Sequence, residues 1–364
     1  MSRQGAVLSD LIKFIAGKRA AQIIREEGLN PDRIRVLVGA AGGAKSLVLG
    51  GIDRALAKSL FKKRKKPLFV LGSSIGTWRF AALSQNNQVE ALEKFEKAYM
   101  NQSYTTKPTP RDVTLENRRI LNRYIDDSKV REILQHPFMR LNLITARSKC
   151  LLSYDHFPIL AAGMALASLF NFFSRSSLGL FFERTLFYDR RDIPPFFEMK
   201  GFRLTRVPLT SKNLKQSIMA SGSVPLVMQG IRDIPGSPAG LYRDGGLIDY
   251  HLALPFDPDP DHIVLYPHYS DRLIPGWLDK HLPWRRAHAE LLQNVLIVCP
   301  SKNFISRLPY GKLPDRSDFK RFFGKDNERL AYWNTAVARG RILGEEFMNA
   351  VESNGIKKLI AEYQ

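Results

Sequence analysis

A serine flanked by two glycines follows a short apolar run, and residues of these types in this spacing can carry nucleophilic chemistry. The segment reads G-x-S-x-G, with Gly72, Ser74 and Gly76 at its fixed positions. An apolar stretch typical of a strand precedes it, and one typical of a helix follows. This order lifts the serine above a sheet on a tight turn whose glycines avoid backbone collisions. The motif also occurs by chance in small-residue turns, but this context predicts Ser74 as a nucleophile.

A glycine pair follows an earlier apolar run and offers backbone N–H groups to a developing oxyanion. These are Gly42 and Gly43, and the positive end of the helix predicted next would assist them. A phosphate-binding loop is the alternative, because Lys45 and Ser46 match its ending, but Ala44 stands where that loop requires glycine. We therefore predict an oxyanion hole at Gly42 and Gly43, with the amide of Ala44 as a further option.

A carboxylate and two glycines end a short predicted strand over residues 240–243. They are Asp244, Gly245 and Gly246, and Asp-Gly-Gly alone is a common turn. A serine nucleophile needs a base, however, and a carboxylate bonded directly to the hydroxyl can fill that role. The three glycine-flanked segments together indicate a site for acyl chemistry, with Asp244 as the proton acceptor of Ser74.

A serine–histidine–aspartate triad is the nearest chemical alternative. Four histidines follow in the chain, at His251, His262, His268 and His281, and Asp244 with His268 would give an aspartate-then-histidine order. None of them lies in a distinctive motif, and a single histidine near a strand end is more often structural. The sequence favours the serine–aspartate pair and leaves the triad as an alternative.

Taken together, these segments make the sequence similar to the patatin-like phospholipase family. Four segments occur in the order of that family: the glycine loop at residues 41–46, G-x-S-x-G at 72–76, a serine–proline segment at 220–225, and Asp-Gly-Gly at 244–246. The resemblance covers residues 35–83 and 214–252. It implies a three-layer α/β/α sandwich with a mainly parallel sheet, a Ser74–Asp244 dyad, an acyl-enzyme intermediate on lipid esters, and neither cofactor nor metal.

The glycine loop departs from the family pattern at three positions. Ala41 replaces the first glycine, Lys45 an arginine, and Ser46 the last glycine. Alanine is acceptable at position 41 if its φ is negative and its N–H does not face the oxyanion.

The elements that must position these residues alternate between strand and helix. The runs at residues 34–38 and 68–71, each followed by a glycine turn and a helix, predict parallel strands joined by a right-handed crossover. Further strands are predicted over residues 202–208, 263–266 and 295–299. We expect an amphipathic helix over residues 1–30, a catalytic domain over 31–300 with a helical and apolar insertion at about 86–200, and a helical extension over 301–364.

An uncharged apolar segment, Phe157–Phe173, lies between the serine and the aspartate in sequence. Its seventeen residues are at the short limit of what spans a bilayer. A buried or cap helix and a helix at the lipid interface are favoured over a membrane span.

Composition places the chain among globular proteins and gives it a large positive charge. Of 364 residues, 55 are Lys or Arg and 35 Asp or Glu, so the net charge is +20, and 44% are hydrophobic. Two cysteines exclude a disulfide scaffold. No signal peptide is recognised, which favours a cytoplasmic protein with or without peripheral membrane association. The oligomeric state is not predicted.

The positive charge predicts an anionic membrane surface as partner. Basic and aromatic residues are not interleaved and no recognition helix is apparent, which argues against nucleic acid. Candidate lipid-headgroup contacts near the apolar segment and the aspartate are Arg147, Lys149, Arg175, Arg190, Arg191 and Arg243. The expected activity is a lipid acyl hydrolase of the phospholipase A or lipase type on a phospholipid or other acyl lipid. A Ser–His–Asp esterase, an acyltransferase and an inactive membrane-binding protein remain alternatives.

Overall fold

An eleven-stranded sheet runs through residues 10–363, the part of the chain that the computed structural model describes. The strands are β1 Ile12–Ala16, β2 Ile34–Gly39, β3 Leu68–Ser73, β4 Met139–Ser148, β5 Phe182–Tyr188, β6 Leu204–Pro208, β7 Ile231–Arg232, β8 Leu241–Asp244, β9 Ile263–Pro267, β10 Val295–Pro300 and β11 Ile360–Glu362. The α-helices are α1 Lys18–Glu27, α2 Gly50–Ala55, α3 Ile75–Leu83, α4 Gln88–Met100, α5 Pro110–Tyr124, α6 Asp127–Gln135, α7 Phe157–Phe173, α8 Leu214–Ser221, α9 Lys302–Ser306, α10 Ser317–Arg321, α11 Asp326–Glu352 and α12 Ile356–Leu359.

Most neighbouring strands are parallel. The order across the sheet is β11-β1-β10-β9-β2-β3-β4-β5-β6, with β8 beside β4 and β7 beside β8. Within residues 10–363, antiparallel pairing is confined to β1 with β10, β4 with β5, β4 with β8, and β7 with β8. Every residue of β3 is buried, and β2 is almost as deeply buried, as expected for parallel strands covered on both faces. The predicted α/β class with a mainly parallel central sheet is confirmed.

Strand β4 brings the ends of two other strands together. Its first part pairs with β3 up to the contact of Ile144 with Ser73, and its second part pairs with β8 from the contact of Thr145 with Asp244. Since β3 runs parallel and β8 antiparallel to β4, their carboxyl ends meet head to head along one edge of β4. The residue after Ser73 and the last residue of β8 are thereby adjacent.

The helix predicted over residues 1–30 is wrong for Ile12–Ala16, which form strand β1, whereas Lys18–Glu27 is helical. Residues 1–9 of that prediction lie outside the described residues. Alternate side chains of β1 are buried against β10, so the apolar spacing there has a period of two. The segment 86–200 is also not only helical, because it supplies β4 and β5 to the sheet.

The carboxyl-terminal residues pack on the same sheet and on the helix that follows the glycine loop. Helix α11 contacts α2 closely enough that a side chain at Gly51 would lie 2.1 Å from the Gly340 carbonyl oxygen. Strand β11 pairs with β1. The division of the chain at residues 30 and 300 stays a prediction.

Helix α7 coincides with the predicted apolar segment. Its buried side is formed by Leu160, Gly163, Met164, Ala167 and Asn171, which share one helical face. Within residues 10–363, no helix has both the length and the apolar character needed to cross a membrane.

Candidate active site

Ser74 and Asp244 are joined directly in the structure. The Ser74 hydroxyl donates to Asp244 Oδ2 at 2.6 Å, although the two residues are 170 positions apart in the chain. Their solvent-exposed fractions are 3% and 5%. The head-to-head approach of β3 and β8 on β4 produces this contact, and a hydroxyl bonded to a buried carboxylate is an arrangement suited to nucleophilic attack.

The backbone at Ser74 has the conformation of a sharp strand-to-helix turn. Its φ is +53° and its ψ −126°, a region that residues other than glycine rarely adopt. Ser221 holds the turn, since its hydroxyl donates to the Ile144 carbonyl at 2.8 Å and accepts the Ser74 N–H at 3.0 Å. The same hydroxyl is 2.8 Å from Thr77 Oγ1, which is therefore the donor. The Ser74 N–H thus already has a hydrogen-bond acceptor in the Ser221 hydroxyl.

The glycines of both motifs allow backbone segments to approach closely. A side chain at Gly72 would lie 2.5 Å from the Thr77 backbone, and one at Gly76 would lie 2.0 Å from the Gly39 carbonyl oxygen. At Gly245 it would lie 2.3 Å from the Ile144 carbonyl oxygen. These contacts give a steric reason for glycine at each position.

Asp244 is oriented by its own turn and has an altered acidity. The Gly246 N–H donates to Asp244 Oδ1 at 2.7 Å, which leaves Oδ2 for the serine. Burial raises the pKa of Asp244 above its ordinary value, while the Ser74 hydroxyl, the Arg316 charge, the Gly246 amide and the Lys280 charge act in the opposite direction. A raised pKa makes the carboxylate a better proton acceptor.

The glycine loop lines the same cavity as the pair. Gly42 and Gly43 are in its wall, and Gly43 has φ +58°, which favours glycine. A short 3₁₀ helix, Gly43–Leu49, begins here, so the first N–H groups lack acceptors within the helix. Ala41 is not among the residues with positive φ, and its N–H donates to the Tyr250 carbonyl at 2.9 Å, which satisfies both conditions for alanine there.

A buried ion pair fixes the loop relative to the serine turn. Arg79 on α3 donates to both carboxylate oxygens of Asp53 on α2, at 2.8 and 2.6 Å. Both side chains are almost fully buried. The helix after Ser74 and the helix after the glycine loop are therefore held together by a bidentate contact.

The four candidate histidines have other surroundings. His251 bonds the Tyr269 hydroxyl at 2.7 Å, and His262 contacts Asp257 at 3.1 Å. His268 is fully buried beneath aromatic rings, and burial lowers its pKa to about 3. His281 lines the cavity, but the hydrogen bond of the Ser74 hydroxyl goes to Asp244. The geometry favours the serine–aspartate pair over a triad.

The cavity in front of Ser74 has a volume of about 550 Å³ and combines apolar and cationic walls. Val224, Pro225, Val227, Leu247 and Trp277 supply apolar surface, and Lys45, Lys280 and Arg316 supply positive charge. Lys280 and Arg316 were missed at the sequence level because they come from loops without a motif. Burial, with the neighbouring charges of Arg316 and Lys45, lowers the pKa of Lys280 to about 7.

Arg243 is not available for lipid headgroups, contrary to the expectation. It is fully buried and forms an ion pair with Asp155. Three more of the candidates are paired with carboxylates: Arg147 with Glu183, Arg175 with Asp279, and Arg191 with Asp189. Among residues 10–363, no three His, Cys, Asp or Glu side chains are grouped so as to hold a metal ion.

Comparison with known proteins finds distant similarity of fold alone. No family model matches the chain, and no curated protein matches it in sequence. VipD from Legionella pneumophila is similar with a TM-score of 0.31 and 11% identity, over 73% of this chain and 55% of that one. Human GIVD cytosolic phospholipase A2 gives a TM-score of 0.34 and 12% identity, over 94% and 63%. This chain spans less than two thirds of either protein, and its function must be argued from its own site.

Proposed function

We propose that this protein is a lipid acyl hydrolase of the patatin-like phospholipase type, with Ser74 as nucleophile and Asp244 as proton acceptor. The observation that supports it is the 2.6 Å hydrogen bond between their side chains, made by a serine with positive φ at the end of a buried strand. The apolar part of the cavity in front of this pair suits an acyl chain.

In the first half of the reaction, Asp244 Oδ2 takes the hydroxyl proton as Ser74 Oγ forms a bond to the ester carbonyl carbon. The carbonyl oxygen becomes an oxyanion, and the N–H groups of Gly42 and Gly43 are the proposed donors to it. When the intermediate collapses, the carbon–oxygen bond to the leaving alcohol breaks, and that alcohol receives the proton from Asp244. The acyl group then remains on Ser74.

In the second half, water attacks the acyl carbon and gives a proton to Asp244. Collapse of the second intermediate breaks the bond to Ser74 Oγ, which recovers the proton, and a fatty acid leaves. An alcohol in place of water would make the protein an acyltransferase, so the product identifies the acceptor.

We further propose that a lipid surface docks on an apolar patch beside the cavity. This apolar patch consists of Phe157, Leu166, Leu169, Phe170, Phe172 and Phe173 on α7, together with Trp284, all exposed in the structure. The Phe172 ring contacts the rings of Phe173 and Trp284, and exposed apolar surface of this kind marks an interaction site. An anionic lipid surface fits best because Arg285 and Arg286 follow Trp284 directly and the chain carries a net charge of +20.

The apolar patch is connected to the cavity wall. Asn171 on α7 donates to Asp279 at 2.7 Å, and Arg175 just after α7 pairs with the same carboxylate at 3.3 Å. Trp277 and Lys280, on either side of Asp279, line the cavity. A lipid that leaves the surface at α7 would therefore enter near these residues.

The decisive test is covalent labelling with a fluorophosphonate probe, which reacts with activated serines. We expect the wild type to be labelled, and Ser74→Ala to lose both labelling and ester hydrolysis by a factor of about 10⁴ or more. Ser73→Ala is the matched control, because that neighbouring hydroxyl is buried without a hydrogen-bond partner among residues 10–363. Asp244→Asn should also abolish hydrolysis. Labelling that persists in Ser74→Ala, or full activity of Asp244→Asn, would exclude the dyad.

A further inference from the structure

A second cavity, of about 350 Å³, lies beside the one that contains Ser74. We call it the side chamber. Lys45, Tyr250 and Lys280 line both cavities and therefore stand between them. The rest of the wall combines polar residues, among them Tyr269, Asp271 and Lys302, with apolar ones such as Ile305 and Leu313.

The charge of the side chamber is positive and not neutralised by its own wall. Three lysines, Lys45, Lys280 and Lys302, contribute to the lining. The single carboxylate of that lining, Asp271, is engaged by Lys13 at 2.8 Å. The chamber thus has three ammonium groups against one carboxylate, and that carboxylate already pairs with Lys13 and also attracts Lys302.

The two lysines between the cavities lack ion-pair partners anywhere in the described part of the chain. The Lys280 ammonium lies 4.1 Å from the ring centroid of Tyr250, and that of Lys45 lies 5.3 Å from the ring of Tyr269. Burial lowers the pKa of both groups because it destabilises a cation, and the charges of Asp315 near Lys45 and of Asp244 near Lys280 offset this only in part. A bound anion between them would remove this cost.

The two cavities differ in size and lining, which suits them to different parts of one ligand. Both cavities have apolar residues in their walls, but the larger one contains the nucleophile, whereas the side chamber is smaller and has ammonium and hydroxyl groups in its wall. Lysine is a common ligand of phosphate. A molecule with a phosphate in the side chamber would pass Lys45 and Lys280 and place its adjoining part in front of Ser74.

We propose that the side chamber binds a phosphate monoester, the headgroup of a lipid whose acyl ester lies at Ser74. The assignment to a substrate headgroup rests on the proposed hydrolase function, but the binding of phosphate does not. Free inorganic phosphate has the same chemistry, and the two sources are distinguished by experiment.

The binding arm uses titration calorimetry on the Ser74→Ala protein, which needs no turnover. Glycerol 3-phosphate should bind and glycerol should not. Lys280→Met in the same background should weaken binding at least about tenfold, consistent with the loss of one charge-assisted contact. The matched control is Lys63→Met, an exposed lysine before β3 at the opposite end of that strand from Ser74. If glycerol 3-phosphate does not bind, or binds equally well to Lys280→Met, the proposal is wrong.

The kinetic arm compares a monoacylglycerol 3-phosphate with the monoacylglycerol of the same chain. The ratio of their kcat/KM values should fall about tenfold in Lys280→Met and in Lys302→Met, and stay constant in Lys63→Met. If inorganic phosphate binds as well as glycerol 3-phosphate and the ratio does not change, the headgroup assignment is overturned in favour of free phosphate. If the wild type binds glycerol 3-phosphate but hydrolyses neither ester, the proposed function fails while the phosphate site stands.

Discussion

In the proposed mechanism Asp244 has to be ionised to accept the serine proton, and its surroundings set the pH at which this occurs. Burial raises its pKa above the ordinary aspartate value of 3.8. As pH falls through this raised pKa, the carboxylate is protonated and can no longer act as a base. We therefore expect kcat/KM for a neutral soluble ester to decline on the acid side with an apparent pKa above 3.8, measured as a pH–rate profile.

Lys280 allows a second prediction, the direction in which the acid limb of the same pH–rate profile shifts. Its positive charge lowers the pKa of Asp244, so Lys280→Met should move the acid limb to higher pH. The profile of Lys63→Met should coincide with that of the wild type. A shift of the Lys280→Met limb to lower pH would show that the two groups do not interact as described.

At the residue scale, the sequence predicts a site residue where the local backbone requires particular residue types beside it. Ser74 and Asp244 were identifiable because each has, within two residues, glycines that the close approach of backbone segments requires. Ser221 lies within the serine–proline segment, but its hydrogen bond to the Ser74 amide could not be predicted. The two residues are 147 positions apart and are brought together only by the folded sheet. Lys280 and Arg316 line the cavity from loops, and the sequence has no periodic pattern there that would predict the course of the backbone.

The glycine loop is positioned by a buried chain of hydrogen bonds. His251 Nδ1 accepts the Ile274 N–H at 2.9 Å, so Nε2 carries the proton and donates to the Tyr269 hydroxyl at 2.7 Å. That hydroxyl donates in turn to the Ala41 carbonyl at 2.8 Å. The Tyr269 ring also packs so closely on Gly42 that a side chain there would lie 2.3 Å away.

Removing only the hydroxyl tests this positioning role. Tyr269→Phe keeps the ring but frees the Ala41 carbonyl, so the proposed oxyanion donors lose alignment. We expect kcat for a soluble ester to fall about tenfold with little change in KM, since only the transition state needs the alignment. Tyr124→Phe is the control, because that buried hydroxyl donates to the Trp78 carbonyl and has no part in the chain from His251 to Ala41. Equal losses in both variants would indicate general destabilisation.

Helix α7 allows the proposed docking surface to be tested separately from the proposed chemistry. Leu169→Glu with Phe173→Glu places two charges on exposed positions of the apolar patch. Binding to anionic liposomes, measured by co-sedimentation, should fall at least about tenfold, whereas hydrolysis of a soluble short-chain ester should fall much less. Phe323→Glu, at an exposed phenylalanine between α10 and α11, is the control. Equal loss of liposome binding and soluble activity would show damage to the core instead.

At the scale of elements, the parallel strands were predicted where continuous apolar runs preceded glycine turns. β2 and β3 are examples, and the strands predicted over residues 202–208, 240–243, 263–266 and 295–299 are confirmed with small shifts of their ends. Strand β4 was missed because Arg140, Asn142 and Arg147 interrupt its apolar pattern, although most of its residues are buried. Such polar residues are tolerated through tertiary contacts, as for Arg140 with Asp192.

Across the whole molecule, the long helix α11 supports the cavity from a distance. The Trp333 indole N–H donates to Asp318 Oδ2 at 3.0 Å, and the same oxygen accepts the Asp315 N–H at 2.8 Å. Asp315 and Arg316 line the cavity. The carboxyl-terminal residues thereby hold a cationic part of the cavity wall in place.

If α11 supports the cavity wall in this way, Trp333→Phe should lower the stability of the protein. It removes the indole N–H from a fully buried carboxylate, which should lower the free energy of unfolding by about 1.5–3 kcal/mol, measured in urea. Trp284→Phe, at an exposed position, should leave the unfolding free energy unchanged. Wild-type stability of Trp333→Phe would mean that the contact with Asp318 does not hold the loop.

The pairing of β1 has a consequence for how the molecule is made. Ile12 pairs with Pro300, and Phe14 pairs with Ile360. At roughly 5–20 residues per second, a ribosome needs on the order of tens of seconds to supply these partners after β1 emerges. Strands β2, β3 and β4 are synthesised well before then, and β8 also precedes β10. The contact between Ser74 and Asp244 can therefore form in the nascent chain before β1 has its partner strands.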